Sequence, residues 1–92
     1  MGDINQLRKR IDEIDEQILQ FLSKRTAICR SIGSLKRKHK IPIKDIPREN
    51  DVYAHIRKQA ASLGLNPIQV EAVYRQIVNM CMAVQELEEK RE

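Results

Sequence analysis

Along the first part of the chain, apolar residues fall at Ile4, Leu7, Ile11, Ile14, Ile18 and Phe21, then at Ile28, Ile32 and Leu35. The steps of three and four mark one face of a helix. No proline interrupts the stretch from near Asp3 to about His39, and Gly33 is its one weak point. Ile41-Pro42-Ile43-Lys44 reads as a linker, because proline ends the helix and holds its neighbour extended. Asp45 then suits an N-cap and Pro47 a first helical turn. Val52, Tyr53, Ile56, Ala60 and Leu63 form the apolar face of a second helix ending at Gly64. Asn66-Pro67-Ile68-Gln69 is a near capping box that opens a third helix. Its apolar side is Val70, Val73, Tyr74, Ile77, Val78, Cys81 and Val84, with the charged tail after Gln85 expected to be frayed or solvated. The pattern predicts an all-α domain over residues 1–92, with three helices and no internal repeat.

The first helix is too long for such a domain. Some 36 residues make about 54 Å at 1.5 Å per residue, whereas a compact chain of this length is only about 32 Å across. Its seam stays apolar to both ends, so the overhang needs a cover. The economical cover is a second copy of the chain, giving an intertwined helical homodimer.

Several polar residues sit on these apolar faces. Arg25 takes a position in the first seam where a hydrophobic residue is expected, and a buried cation needs an anion. It is either a structural ion-pair partner or part of a site. Lys36, eleven residues on, returns to within about 20° of the same face, so two cations look inward together. Glu49 precedes Val52, Tyr53 and Ile56 by three, four and seven, and Gln85 follows Cys81 and Val78 by four and seven. Each could be the polar margin of its stripe, and Arg48 a first-turn surface charge. Taken together they describe a polar pocket in a bundle, suited to a small polyanion. Arg8 lies about 25 Å along the helix from Arg25 and about 100° around it. Both cannot grip one small ligand from the same helix, so a site role for Arg8 means serving the partner's pocket.

Composition narrows the classes. Aromatic residues are 3% and charged residues 33% of the chain, a mixture that favours helices. The net charge of +4 allows attraction to anions of any kind. The run Lys36-Arg37-Lys38-His39-Lys40 could be a nucleic-acid patch. It also ends a helix, where cations oppose the dipole, and no aromatic is interleaved for stacking on bases. Cys29 and Cys81 are too few for a disulfide scaffold and lack a metal-ligand partner at suitable spacing. They read as small buried thiols in a reducing cytosol. No apolar run is long enough to span a membrane. The expectation is a cytoplasmic protein with no metal, no cofactor, no membrane association and no nucleic acid.

These residues resemble the all-helical chorismate mutases over nearly the whole chain. The likeness rests on Leu7-Arg8-Lys9-Arg10-Ile11-Asp12-Glu13-Ile14-Asp15, on Arg25 and Lys36, on Asp45-Ile46-Pro47-Arg48-Glu49, and on Gln85. The spacing among these elements carries the specificity, since Leu-Arg-x-x-Ile-Asp alone is weak. The resemblance implies a Claisen rearrangement of chorismate to prephenate, on the way to phenylalanine and tyrosine, without a cofactor. It further implies that Arg8 crosses the dimer to a substrate carboxylate and that Arg25 grips one within its own subunit. Lys36 would contact a carboxylate and the ether oxygen, and Gln85 would donate to that oxygen. Arg48 would position groups of the first helix, while Asp45, largely through its backbone, and Glu49 would hold the substrate hydroxyl. Cys81 stands among the substrate-facing residues where well-known bacterial members carry Ser, and a thiol is a much weaker donor.

Two other readings compete. An isochorismate pyruvate lyase shares the scaffold, although the Asp45-x-x-Arg48-Glu49 segment favours rearrangement. A non-catalytic basic helical dimer would bind nucleic acid or partner helices through surface Lys and Arg with a steep salt dependence, indifferent to Glu49 and Gln85.

Overall fold

The computed structural model describes residues 2–91. Three helices account for nearly all of them: α1 (Gly2–His39), α2 (Ile46–Ser62) and α3 (Pro67–Glu89). Local chemistry explains each boundary. α1 stops at His39, and Lys40 after it adopts a left-handed φ of 56°. There the N–H of Ile41 donates to the carbonyl of Lys36 at 2.8 Å and that of Lys40 to Arg37 at 3.3 Å, a Schellman closure. The Asp45 carboxylate caps α2 by accepting from the N–H of Arg48 at 3.0 Å. Gly64, at φ 74°, closes the other end, with Leu65 N–H donating to the Ala60 carbonyl at 2.9 Å. Asn66 caps α3 by accepting from the N–H groups of Ile68 and Gln69 at 3.0 and 3.2 Å.

α3 is the central element. It packs against α1 on one side and α2 on the other, while α1 and α2 do not pack directly on each other. α1 and α3 run parallel: Cys29 meets Cys81, Gly33 meets Gln85, and Ser34 meets Glu88. α2 runs antiparallel to α3, with the Arg75 guanidinium 4.3 Å from the Tyr53 ring centre and Arg57 paired with Glu71. Hydrogen bonds from Arg57 and then Arg75 hold the Glu71 carboxyl below its usual pKa.

The molecule measures 56 × 28 × 14 Å, with a radius of gyration of 16.6 Å against about 12 Å for a compact chain of this length. α1 causes the excess, since every residue from Gly2 to Phe21 is exposed. That stretch carries the apolar seam, with Ile4, Leu7, Ile11, Ile14 and Ile18 each about half exposed. Among the described residues no helix is long and apolar enough to cross a membrane. The seam of α1 stays exposed beyond that stretch at Ile28, Ile32 and Leu35, and on α2 and α3 two residues expected on inward apolar faces are exposed instead: Leu63, which caps the end of α2, and Val73 of α3. The tail of α3 also departs from expectation. It continues as helix through Glu89, and Glu88 is buried rather than solvated.

Candidate functional site

Because α1 and α2 contact α3 but not each other, a space remains between them. It is a cavity of about 420 Å³, and every predicted site residue except Arg8 lines it. α1 contributes Arg25, Cys29 and Lys36 over an apolar floor of Ile28 and Ile32. Asp45 and, from the first turn of α2, Arg48 and Glu49 close one side, and Val78, Cys81, Met82 and Gln85 of α3 close the other. Arg25, Lys36 and Glu49 are half-buried, Gln85 is buried, and Asp45 and Arg48 are exposed at the rim. Arg8 sits on the exposed half of α1, outside the cavity of its own chain.

The electrostatics are unbalanced in favour of an anion. Among the described residues no carboxylate lies at ion-pair distance from Arg25, Lys36 or Arg48. Its nearest polar contact is the sulfur of Cys29, at 3.8 Å. Lys36 spends one of its three donors on the Ile43 carbonyl at 2.8 Å. The Glu49 carboxylate has Lys44 at 3.8 Å, yet its Oε2 is buried without a hydrogen-bond partner. The Gln85 amide donates to the sulfur of Cys81 at 3.1 Å, leaving Oε1 buried and unpartnered. A half-turn about the last bond of Gln85 exchanges its oxygen and nitrogen. The cavity thus offers a ligand cations, an amide and the unpartnered carboxylate oxygen of Glu49.

The cysteines require a correction. They are not free thiols: Cys29 and Cys81 form a disulfide between α1 and α3, with their Cα atoms 5.4 Å apart, within the usual range. Cys81 in this form has no S–H to donate and serves instead as an acceptor for Gln85. The bond joins positions 52 residues apart, and on a chain-entropy estimate such a link stabilises the folded state by as much as about 4 kcal/mol. Cys81→Ser is therefore expected to lower the urea midpoint to that of the reduced wild type while retaining the ligand chemistry of the cavity. Equal midpoints for oxidised, reduced and Cys81→Ser chains would show that the bond adds nothing.

Two buried residues escaped the sequence reading. Glu88 accepts from the Ser34 hydroxyl at 3.1 Å and from Arg91 at 3.3 Å, with Arg30 at 3.8 Å, while its backbone carbonyl accepts from Arg37 at 3.0 Å. The signal was its spacing: Val78, Cys81, Gln85 and Glu88 advance by three, four and three. Gly33, treated as a flaw in α1, is buried against α3. Its signal was a glycine four residues after Cys29 on an inward stripe.

The family model described as chorismate mutase type II matches residues 7–86. The bifunctional chorismate mutase/prephenate dehydratase of Aquifex aeolicus is 32% identical over 88 residues, 92% of this chain and 24% of that protein. The chorismate mutase of Methanocaldococcus jannaschii is 40% identical over 53 residues, 58% of this chain and 54% of that protein. The 4-amino-4-deoxychorismate mutase of Streptomyces pristinaespiralis is 32% identical over 75 residues, 82% and 58% respectively. The chain therefore spans between a quarter and three fifths of the length of these relatives.

Proposed function

Since the chain belongs to the chorismate mutase type II family, we propose that it converts chorismate to prephenate. The observation that carries this reading is the meeting of Arg25, Lys36 and Gln85 in one cavity where, among the described residues, no carboxylate stands at ion-pair distance from either cation. The rearrangement breaks one carbon–oxygen bond and makes one carbon–carbon bond within a single molecule. Its electrons stay inside the substrate, so the protein has only to restrict conformation and stabilise charge. Arg25 grips one carboxylate. Lys36 and Gln85 meet the negative charge that grows on the ether oxygen as its bond breaks. Glu49 accepts from the ring hydroxyl, Asp45 assists through its backbone, and Arg48 positions the groups of α1. Cys81 shapes the wall beside Gln85.

The second carboxylate falls to Arg8 of a second copy. The exposed apolar seam of α1 supports a homodimer, because among the described residues the buried apolar side chains are few, namely Cys29, Tyr53, Ala60 and Val78, and none of the described residues covers the seam from Ile4 to Ile18. The reducing cytosol expected for free thiols does not suit the Cys29–Cys81 bond, which a thiol-rich compartment would favour reducing.

Gln85→Glu tests the mechanism. A protonated carboxyl can still donate to the ether oxygen, whereas a carboxylate repels it. The variant should gain activity as the pH falls through the titration of the introduced carboxyl, in contrast to the wild type. Parallel pH profiles would remove Gln85 from the mechanism.

A further inference from the structure

In the parallel seam between α1 and α3, one turn beyond the Cys29–Cys81 link, Gly33 faces the backbone of Gln85. A Cβ placed on Gly33 would lie 2.9 Å from Gln85 Cα, 3.2 Å from Glu88 Cβ and 3.3 Å from Gln85 Cβ. The first of these is closer than carbon atoms pack, and the obstructing atom is main chain, so a side-chain rotation cannot relieve it. α3 has little freedom to slide. The disulfide holds it on one side of Gln85, and on the other Glu88 is held by the Ser34 hydroxyl at 3.1 Å and by Arg37 through its carbonyl at 3.0 Å. Any side chain at position 33 must therefore move the segment that carries Gln85.

We propose that Gly33 is a positioning residue: the absence of a side chain there seats Gln85 at the depth where its amide reaches the reacting oxygen, and the Ser34–Glu88 contact keeps it seated. The inference rests on the mutase reading for its catalytic consequence. Arg25 and Lys36 both sit on α1 with Gly33 and keep their mutual geometry when α3 shifts. The contribution of Gln85 to the transition state is then lost while the grip of the α1 cations on the substrate is kept.

Gly33→Ala is expected to lower kcat about tenfold with KM changed by less than about twofold, since misplacing a reacting group by a fraction of an ångström costs rate before affinity. A merely structural role predicts a different pattern, so the decisive readout is a double-mutant cycle. In a Gln85→Leu background, Gly33→Ala should change kcat by less than about twofold, because the group it misplaces is already gone. The same tenfold loss in both backgrounds overturns the proposal. If Gly33→Ala does not fold, Ser34→Ala takes its place in the cycle. It should lower kcat about threefold with Gln85 present and leave it unchanged with Leu; an unchanged kcat in both overturns the role of the seam. A measurement independent of turnover separates this inference from the mutase reading. The Gln85 side-chain amide resonance, identified by its loss in Gln85→Leu, should move in whichever of Gly33→Ala and Ser34→Ala folds. If it stays in place the positioning role fails, whatever the wild type does with chorismate.

Discussion

Replacing Lys36 with alanine is expected to lower kcat by about a hundredfold or more, the loss typical of removing a donor to charge that appears mainly in the transition state. The size follows from where the ammonium sits. It is half-buried in the cavity, tied to the Ile43 carbonyl at 2.8 Å, and among the described residues no carboxylate at ion-pair distance competes for its charge. Loss of the tie to Ile43 also costs stability on the order of 1 kcal/mol, so rates must be compared at equal folded fraction. Lys38→Ala is the control. It removes the same charge two residues away from an exposed position and should leave kcat within about twofold. Equal losses from both variants would mean that overall positive charge matters, as in a nucleic-acid-binding dimer, and that the cavity does not.

Arg8→Ala and Arg25→Ala homodimers should each be nearly inactive, yet mixing them under subunit exchange should restore activity. Arg8 is outside the cavity of its own chain, on the exposed apolar half of α1, about 25 Å along the helix from Arg25. If the site draws Arg8 from the partner, a mixed dimer has one pocket with both arginines and one with neither. Random exchange makes about half the dimers mixed, so about a quarter of wild-type activity should return. No recovery despite demonstrated exchange would place Arg8 outside the site or within its own chain.

Helix boundaries were legible because their signals are local. Asp45, Asn66 and Gly64 cap helices through atoms only a few residues away. The inward direction of Arg25, Lys36, Glu49 and Gln85 was legible from periodicity, which reports the face of a helix. Periodicity does not report which faces meet, or at what height. The Cys29–Cys81 bond depends on α1 and α3 lying parallel and in register, so each cysteine alone read as a buried thiol. Glu88 was hidden for a related reason. A carboxylate in a charged tail looks solvated until Ser34, Arg37 and Arg91 arrive from a distance of up to 54 residues along the chain and from within its own turn. Gly33 read as a weakness because propensity measures a helix in isolation, whereas here a missing Cβ allows the approach of Gln85. Leu63 and Val73 were assigned inward by spacing at the ends and margins of stripes, where periodicity constrains orientation least.

The most direct measurement is the product formed when the purified chain, treated with chelator, is given chorismate alone and followed by proton NMR. Stoichiometric prephenate is expected, with no pyruvate released and no dependence on added metal or cofactor. Parallel samples with isochorismate should release pyruvate far more slowly. Unchanged chorismate, or pyruvate from isochorismate as the dominant reaction, would contradict the mutase reading.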